Sequence, residues 1–277
     1  MFETLPPRIK HIGLAGDVAG CAATSRTGSS GTDPRHHSPR GVTARALCVL
    51  HDAVSSTGLI GDALSDRRWK VDEFLVVPAD RHDSPNIEVS FPDNSDYDLL
   101  VVLGAPWAAY DDVGIGRWLT PELRWLSGAV AAGGAVLGIC FGAQVLARAL
   151  GGSVARSKDP EVGWVRIDSD VPALIPAGPW FQWHYDSFTP PPGAIELARN
   201  AAAVQAYRVG RSLGVQFHPE VTTAGIKRWL DNGEETRAHP HVVDPAELLA
   251  EADRQAVAAR GRADALVAGY LDRVFRL

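Results

Sequence analysis

Val136-Leu137-Gly138-Ile139-Cys140-Phe141-Gly142-Ala143-Gln144 is an apolar run that passes through G-x-C-x-G straight into a stretch patterned for a helix. A buried strand joined to a helix without a linker is the context of a nucleophile elbow, which exposes the central residue of the turn at the top of a sheet. The spacing has a mechanical cause. The central residue takes a strained backbone conformation, and a glycine two residues to either side leaves room for the chain to reverse. Cys140 would then sit at a helix N-terminus, where free amides and the helix dipole favour thiolate over thiol. The Phe141 amide would point at the oxyanion formed when that thiolate adds to a carbonyl. A tight turn of this kind can also hold a buried cysteine that packs as a small hydrophobe, and that plainer reading applies to Cys48.

Outward from the elbow, short apolar runs alternate with helical stretches, the pattern of a mostly parallel sheet flanked by helices on both faces. Residues 45–51 read as the first strand, 59–67 as a helix and 71–77 as a second strand. Residues 99–103 (Leu-Leu-Val-Val-Leu) form a buried strand running into Gly104-Ala105-Pro106. A helix over 121–132 comes next, with Leu123, Leu126 and Val130 spaced for one face. Residues 135–139 deliver Cys140, and the helix over 141–150 closes at Gly151-Gly152. Beyond it, β-like runs at 162–167, 195–199, 204–209 and 213–217 lie between turn-rich segments, and the last sixty or so residues turn helical and charged.

Residues 1–44 are rich in Gly, Ser, Thr, Pro and Arg and read as a disordered tail before a single domain over 45–277. Within the tail, Val18-Ala19-Gly20-Cys21 comes after Arg8 and Lys10 like a lipoprotein cleavage site, but Asp17 interrupts an apolar stretch that is already short. Cys21, Cys48 and Cys140 are an odd number at unrelated spacings. They suit neither a disulfide framework nor a zinc site and point to a reducing cytoplasm. His36-His37 reads as solvated, Asn232-Gly233-Glu234-Glu235 as a turn, and His239-Pro240-His241 lacks a third ligand for a metal. A net charge of −6 without a basic stripe argues against a nucleic-acid partner. No apolar run reaches the ~18 residues of a membrane span.

A thiol nucleophile needs a base that takes its proton and later protonates the leaving amine. Gly214-Val215-Gln216-Phe217-His218-Pro219-Glu220-Val221 supplies one. Pro219 biases His218 toward an extended backbone, in which positions two apart face the same side. His218 and Glu220 therefore project together, with the carboxylate placed to orient the imidazole.

Gly138-Ile139-Cys140-Phe141-Gly142-Ala143-Gln144 with Gln216-Phe217-His218-Pro219-Glu220 resembles the paired signature of class I glutamine amidotransferases, particularly stand-alone proteins similar to the glutaminase half of GMP synthetase. Leu103-Gly104-Ala105-Pro106 resembles the family's oxyanion loop, and Trp183-His184-Tyr185-Asp186-Ser187-Phe188 its glutamine-site segment, so the likeness covers roughly 45–230. The resemblance implies a flavodoxin-like α/β fold and a triad of Cys140, His218 and Glu220. It also implies oxyanion donors at the Ala105 and Phe141 amides, and a substrate pocket from Gly104, Gln144 and the main chain of His184, Tyr185 and Asp186. No metal or organic cofactor is implied. Ala105 and Tyr185 stand where relatives often have glycine, and Tyr185 adds bulk beside the pocket.

Three functions fit these residues. The first is hydrolysis of glutamine through a cysteinyl thioester, with ammonia passed to a synthase on another chain. The second is a stand-alone hydrolase or peptidase of γ-glutamyl conjugates, and the third a non-catalytic binding protein. An α/β-hydrolase shares the elbow and would draw its acid from Asp168, Asp170 or Asp186, but only about four strands precede Cys140 and Glu220 comes directly after the His218-Pro219 pair.

Overall fold

The computed structural model describes residues 10–11, 43–232 and 244–275. Most of the tail read at 1–44, with Cys21 and His36-His37, lies outside these residues, as do His239-Pro240-His241 and all but the first residue of the 232–235 turn.

Ten strands form the sheet in the order β1-β3-β2-β4-β5-β10-β9-β8-β6-β7. Its centre is parallel and comprises β3 (Lys70–Leu75), β2 (Arg45–Leu50), β4 (Leu99–Val102), β5 (Ala135–Ile139) and β10 (Ser212–Val215). Counting these five in chain order gives 2-1-3-4-5, the flavodoxin-like arrangement. The far half is antiparallel and contains β9 (Val204–Val209), β8 (Ile195–Arg199), β6 (Ser153–Ser169) and β7 (Gly178–Thr189). At the opposite edge a short β1 (Lys10–His11) pairs antiparallel with β3, so the segment read wholly as disordered contributes two strand residues.

The central strands are apolar on both sides because both faces are covered. Ala46, Cys48, Leu50, Val101 and Leu137 pack against α1 (Gly58–Asp66) and against Ala263, Leu266 and Tyr270 of α5 (Pro245–Phe275). Leu47, Val49, Leu100, Val102 and Val136 face the opposite layer, where α2 (Gly116–Ala131) and α3 (Phe141–Ala149) supply Trp118, Leu119, Leu126, Phe141 and Leu146. α4 (Thr223–Asn232) brings Trp229 to 5.1 Å from the His218 ring.

Three further elements depart from the sequence reading. α2 begins at Gly116, ahead of Pro121, because Trp118, Leu119, Glu122, Leu126 and Ala129 already form one buried face. Pro121 is the sixth residue of this helix, past the amides that lack an intrahelical acceptor, so it removes the bond its position would make to the Arg117 carbonyl, and the helix continues on the strength of that buried face. β6 is seventeen residues long and β7, twelve residues, is a strand that hydropathy does not reveal. The buried side of β7 carries Gln182, His184 and Asp186, so its period of two is hidden behind polar side chains.

Candidate active site

β4, β5 and β10 run parallel with Val102 beside Gly138 and Val215 beside Ile139, so their carboxyl ends finish together. The segments beyond these strands are therefore brought to one place: the Gly104 loop after β4, Cys140 after β5, and Gln216 to Glu220 after β10. Ligand sites in open α/β sheets form at such carboxyl ends.

Cys140 has φ +50° and ψ −109°, a left-handed conformation strained for a residue with a Cβ, and it caps α3. A side chain on Gly142 would collide with the Val102 carbonyl, and one on Gly138 with the backbone of Gly142 and Ala143. The G-x-C-x-G spacing thus has the mechanical origin read from the sequence. The Cys140 amide is fixed to the Val215 carbonyl at 2.8 Å. The residue is buried at 6% exposure, and its sulfur lies 3.9 Å from the Trp183 carbonyl and 3.7 Å from Gln216 Nε2.

His218 is held by its amide on the Phe181 carbonyl at 2.8 Å, and its Nδ1 lies 2.7 Å from Glu220 Oε1. Glu220 is fixed in turn because its carbonyl accepts from the Leu59 amide at the start of α1, at 2.8 Å. His218 Nε2 is buried without a hydrogen-bond partner. It faces Cys140, whose charge acts on the ring. Burial alone would lower the His218 pKa, but the Glu220 carboxylate and the Cys140 sulfur outweigh it, leaving the imidazole well above the ordinary histidine value. Phe181, Trp183 and Trp229 wall this side of the ring.

The Gly104 loop passes directly alongside. A Cβ on Gly104 would lie 3.2 Å from His218 Cε1. Neither the Ala105 nor the Phe141 N–H has an acceptor among the described residues. One of these two amides lies in the Gly104 loop and the other directly after Cys140.

On the other side, Gln144 Nε2 donates to the Asp186 carbonyl at 3.2 Å and reaches Gln216 Oε1 at 3.4 Å. The Asp186 carbonyl also accepts from His184 Nδ1 at 3.0 Å. The Asp186 carboxyl points elsewhere, to the Tyr110 hydroxyl at 3.2 Å and Arg156 at 3.8 Å, and burial pushes its pKa up against their pull. Arg156 also stacks on Tyr185, 5.0 Å above its ring.

The sequence-derived residues thus divide. Cys140, His218, Glu220, Gly104, Ala105, Phe141 and Gln144 converge, and Asp186 reaches Gln144 through its carbonyl. The His184 side chain turns into a buried network instead, 3.2 Å from Glu161, which is bound by Asn200 and Gln205. Asp168 and Asp170, the α/β-hydrolase alternatives, lie toward the β6–β8 edge, where Asp168 pairs with Arg199 in register and Asp170 bonds the Arg199 guanidinium. Gln216 received no role from the sequence although it stands two residues before His218, on the same side of an extended segment.

A strained cysteine elbow facing a buried histidine–glutamate pair at the carboxyl ends of a flavodoxin-ordered sheet defines the class: an α/β protein built around a thiol nucleophile. The family model described as glutamine amidotransferase class-I matches residues 50–233, and the chain belongs to that family. It is similar to a glutamine-hydrolysing GMP synthase subunit of Sulfurisphaera tokodaii, 33% identical over 48% of this chain and 73% of that protein. It also resembles the GMP synthase of Aeropyrum pernix, 38% identical over 42% of this chain but only 24% of the relative's length. Among solved structures, a glutamine amidotransferase from Thermotoga maritima superposes with a TM-score of 0.70 at 26% identity, covering 84% of this chain and 98% of that one. Among the described residues, no helix is long and apolar enough to cross a membrane.

Proposed function

We propose that this protein hydrolyses the γ-amide of glutamine through a thioester on Cys140. The observation that carries the reading is the φ +50° elbow at Cys140 with His218 beside it, its Nδ1 held 2.7 Å from Glu220. Cys140 sulfur, as thiolate beside the His218 imidazolium, adds to the amide carbon, and the carbonyl oxygen gains negative charge between the Ala105 and Phe141 amides. The intermediate collapses as His218 Nε2–H gives its proton to the departing nitrogen, and ammonia leaves. Water then adds to the thioester, His218 takes its proton, and glutamate and the Cys140 thiol are released with the thiol proton restored. Glu220 keeps the imidazole oriented and protonated at the right moment. Gln144, Gly104 and the main chain from His184 through Tyr185 to Asp186 form the pocket for the amino-acid end of the substrate.

The relative from Sulfurisphaera tokodaii is named as a subunit. On that basis the ammonia formed here passes to an acceptor-activating synthase on a second chain, in the cytoplasm.

One observation favours a second reading, hydrolysis of a γ-glutamyl conjugate by this chain alone. Tyr185, stacked under Arg156 next to Asp186, puts a large side chain beside the proposed pocket, where the family resemblance leads one to expect glycine. Glutamate release from glutamine and from γ-glutamyl anilides and peptides, with and without Cys140→Ala, separates the two. Glutamine turnover lost in the variant supports the first reading. Rapid conjugate turnover with negligible glutamine turnover overturns it in favour of the second.

A further inference from the structure

His51 and Glu122 are fully buried polar side chains to which the proposed chemistry gives no role. His51 comes directly after the last residue of β2, and Glu122 sits on the inner face of α2. His51 Nε2 lies 3.0 Å from Glu122 Oε1 and 3.2 Å from Oε2, while Nδ1 lies 3.2 Å from the Gly104 carbonyl oxygen. A carbonyl can only accept, so Nδ1 must carry a hydrogen. The proton shared between Nε2 and the carboxyl can rest on either without changing that, because both an imidazolium–carboxylate pair and a neutral pair leave Nδ1–H aimed at Gly104.

Stability alone gives little reason for this pair, since an apolar replacement of similar volume in a buried site is often neutral or stabilising. Its surroundings are apolar, with Trp118 5.5 Å and Phe141 4.7 Å from the His51 ring. What distinguishes the pair is its third partner. In a planar trans peptide the C=O and the adjoining N–H point in opposite directions. A donor that fixes the Gly104 oxygen therefore fixes the direction of the Ala105 hydrogen. The same ring lies edge-on to Phe141, whose amide is the second free donor.

We infer that His51 and Glu122 are a positioning pair for the oxyanion site: His51 anchors the Gly104–Ala105 peptide and packs against Phe141, and Glu122 holds His51 in the tautomer that can do so. The inference rests on the proposed γ-glutamyl chemistry and deepens it. Neither side chain touches the substrate. Their effect belongs to the transition state, because an amide aimed at the developing oxyanion adds little to ground-state binding.

The test compares wild type, His51→Leu, His51→Asn and Glu122→Gln. For His51→Leu, kcat for glutamine falls toward the ~10²–10³-fold loss expected when one oxyanion donor is removed, while KM changes little. Affinity for glutamate γ-semialdehyde, which forms a thiohemiacetal on a thiol, falls with kcat. Alkylation of Cys140 by iodoacetamide, which needs no oxyanion donor, stays near the wild-type rate. His51→Asn restores part of kcat because its amide can still donate to the Gly104 carbonyl, and Glu122→Gln shows a smaller loss. An unchanged kcat in folded His51→Leu overturns the inference, as does alkylation falling in step with kcat. If His51→Leu does not fold, 15N NMR of the wild-type ring decides: Nδ1 protonated near neutral pH supports the pair, and unprotonated Nδ1 overturns it. Failure of the wild type to hydrolyse any γ-glutamyl amide counts against the function proposed above, whereas the ring measurement reads the pair independently of turnover.

Discussion

Two of the three buried histidine–carboxylate pairs among the described residues, His218–Glu220 and His184–Glu161, differ in what the second ring nitrogen faces. In the His218–Glu220 pair, Nδ1 is engaged and Nε2 is free to face the sulfur. Glu220 has one oxygen on the ring and the other without a partner, so its charge acts chiefly on His218. In the His184–Glu161 pair, Nδ1 is used on the Asp186 carbonyl and Nε2 points at a carboxylate already bound by Asn200 at 2.6 Å and Gln205 at 2.8 Å. Neither Nε2 makes a hydrogen bond, but the one on His184 lies 3.2 Å from a carboxylate already held by two amides, whereas the one on His218 faces Cys140, where it can exchange a proton with a substrate. Burial and a carboxylate neighbour do not separate a base from a structural histidine. What the second ring nitrogen faces does.

Removing the ring nitrogen that faces Cys140 should have the largest effect. His218→Asn is expected to lower glutamine hydrolysis by about 10²–10⁴-fold, the usual scale for losing a general acid–base, measured as kcat for glutamate release. The fold should survive, with circular dichroism unchanged.

Glu220→Gln comes next. A loss of roughly 10–100-fold is expected, by analogy with orienting partners of metal-bound histidines. Its pH signature is sharper than its size. Glu220 is the main group raising the His218 pKa, so without it the alkaline limb of kcat/KM moves to lower pH. Stability has the same sign. A raised folded-state pKa gives stabilisation that is complete below the ordinary value of 6.5 and is lost as pH rises through the folded value. The variant should therefore lose more urea resistance relative to wild type in neutral than in strongly alkaline buffer.

His184→Leu should have the smallest effect on chemistry. Glu161 keeps its two amide donors, so the expected cost is about 1–3 kcal/mol of stability by urea unfolding. The Asp186 carbonyl loses one of its two donors, which should raise KM more than it lowers kcat. A fall in kcat equal to that of His218→Asn would erase the distinction between the pairs.

The parallel half of the sheet was legible in the sequence because both its faces are buried in apolar layers. Five central strands and the elbow could be placed from hydropathy and glycine spacing alone, with the start of α2 displaced by Pro121. The antiparallel half was legible only in part: the runs at 195–199 and 204–209 are β8 and β9, but β6 was read only over 162–167 and β7 not at all. β7 buries Gln182, His184 and Asp186, which invert the hydropathy signal, and most of β6 before residue 162 is exposed and polar and contains Pro160. The site shows the same division. Cys140, His218 and Glu220 are linked by local constraints, a turn and a dipeptide spacing, that a sequence can display. The role inferred for His51 and Glu122 and the contact of Gln216 with Cys140 arise between residues more than fifty positions apart. No spacing rule marks those. The family resemblance supplied the pocket's main chain but not the inward turn of the His184 ring.

Everything proposed for the chemistry depends on Cys140 being the nucleophile, and labelling with a diazoketone analogue of glutamine tests that most directly. Peptide mapping by mass spectrometry would track the label while glutamine hydrolysis is assayed on the same samples. One label on Cys140 is expected, with activity falling in proportion to it and no label in Cys140→Ala. Hydrolysis that persists with Cys140 fully labelled, or a label on Cys48 accompanying the loss of activity, would contradict the assignment.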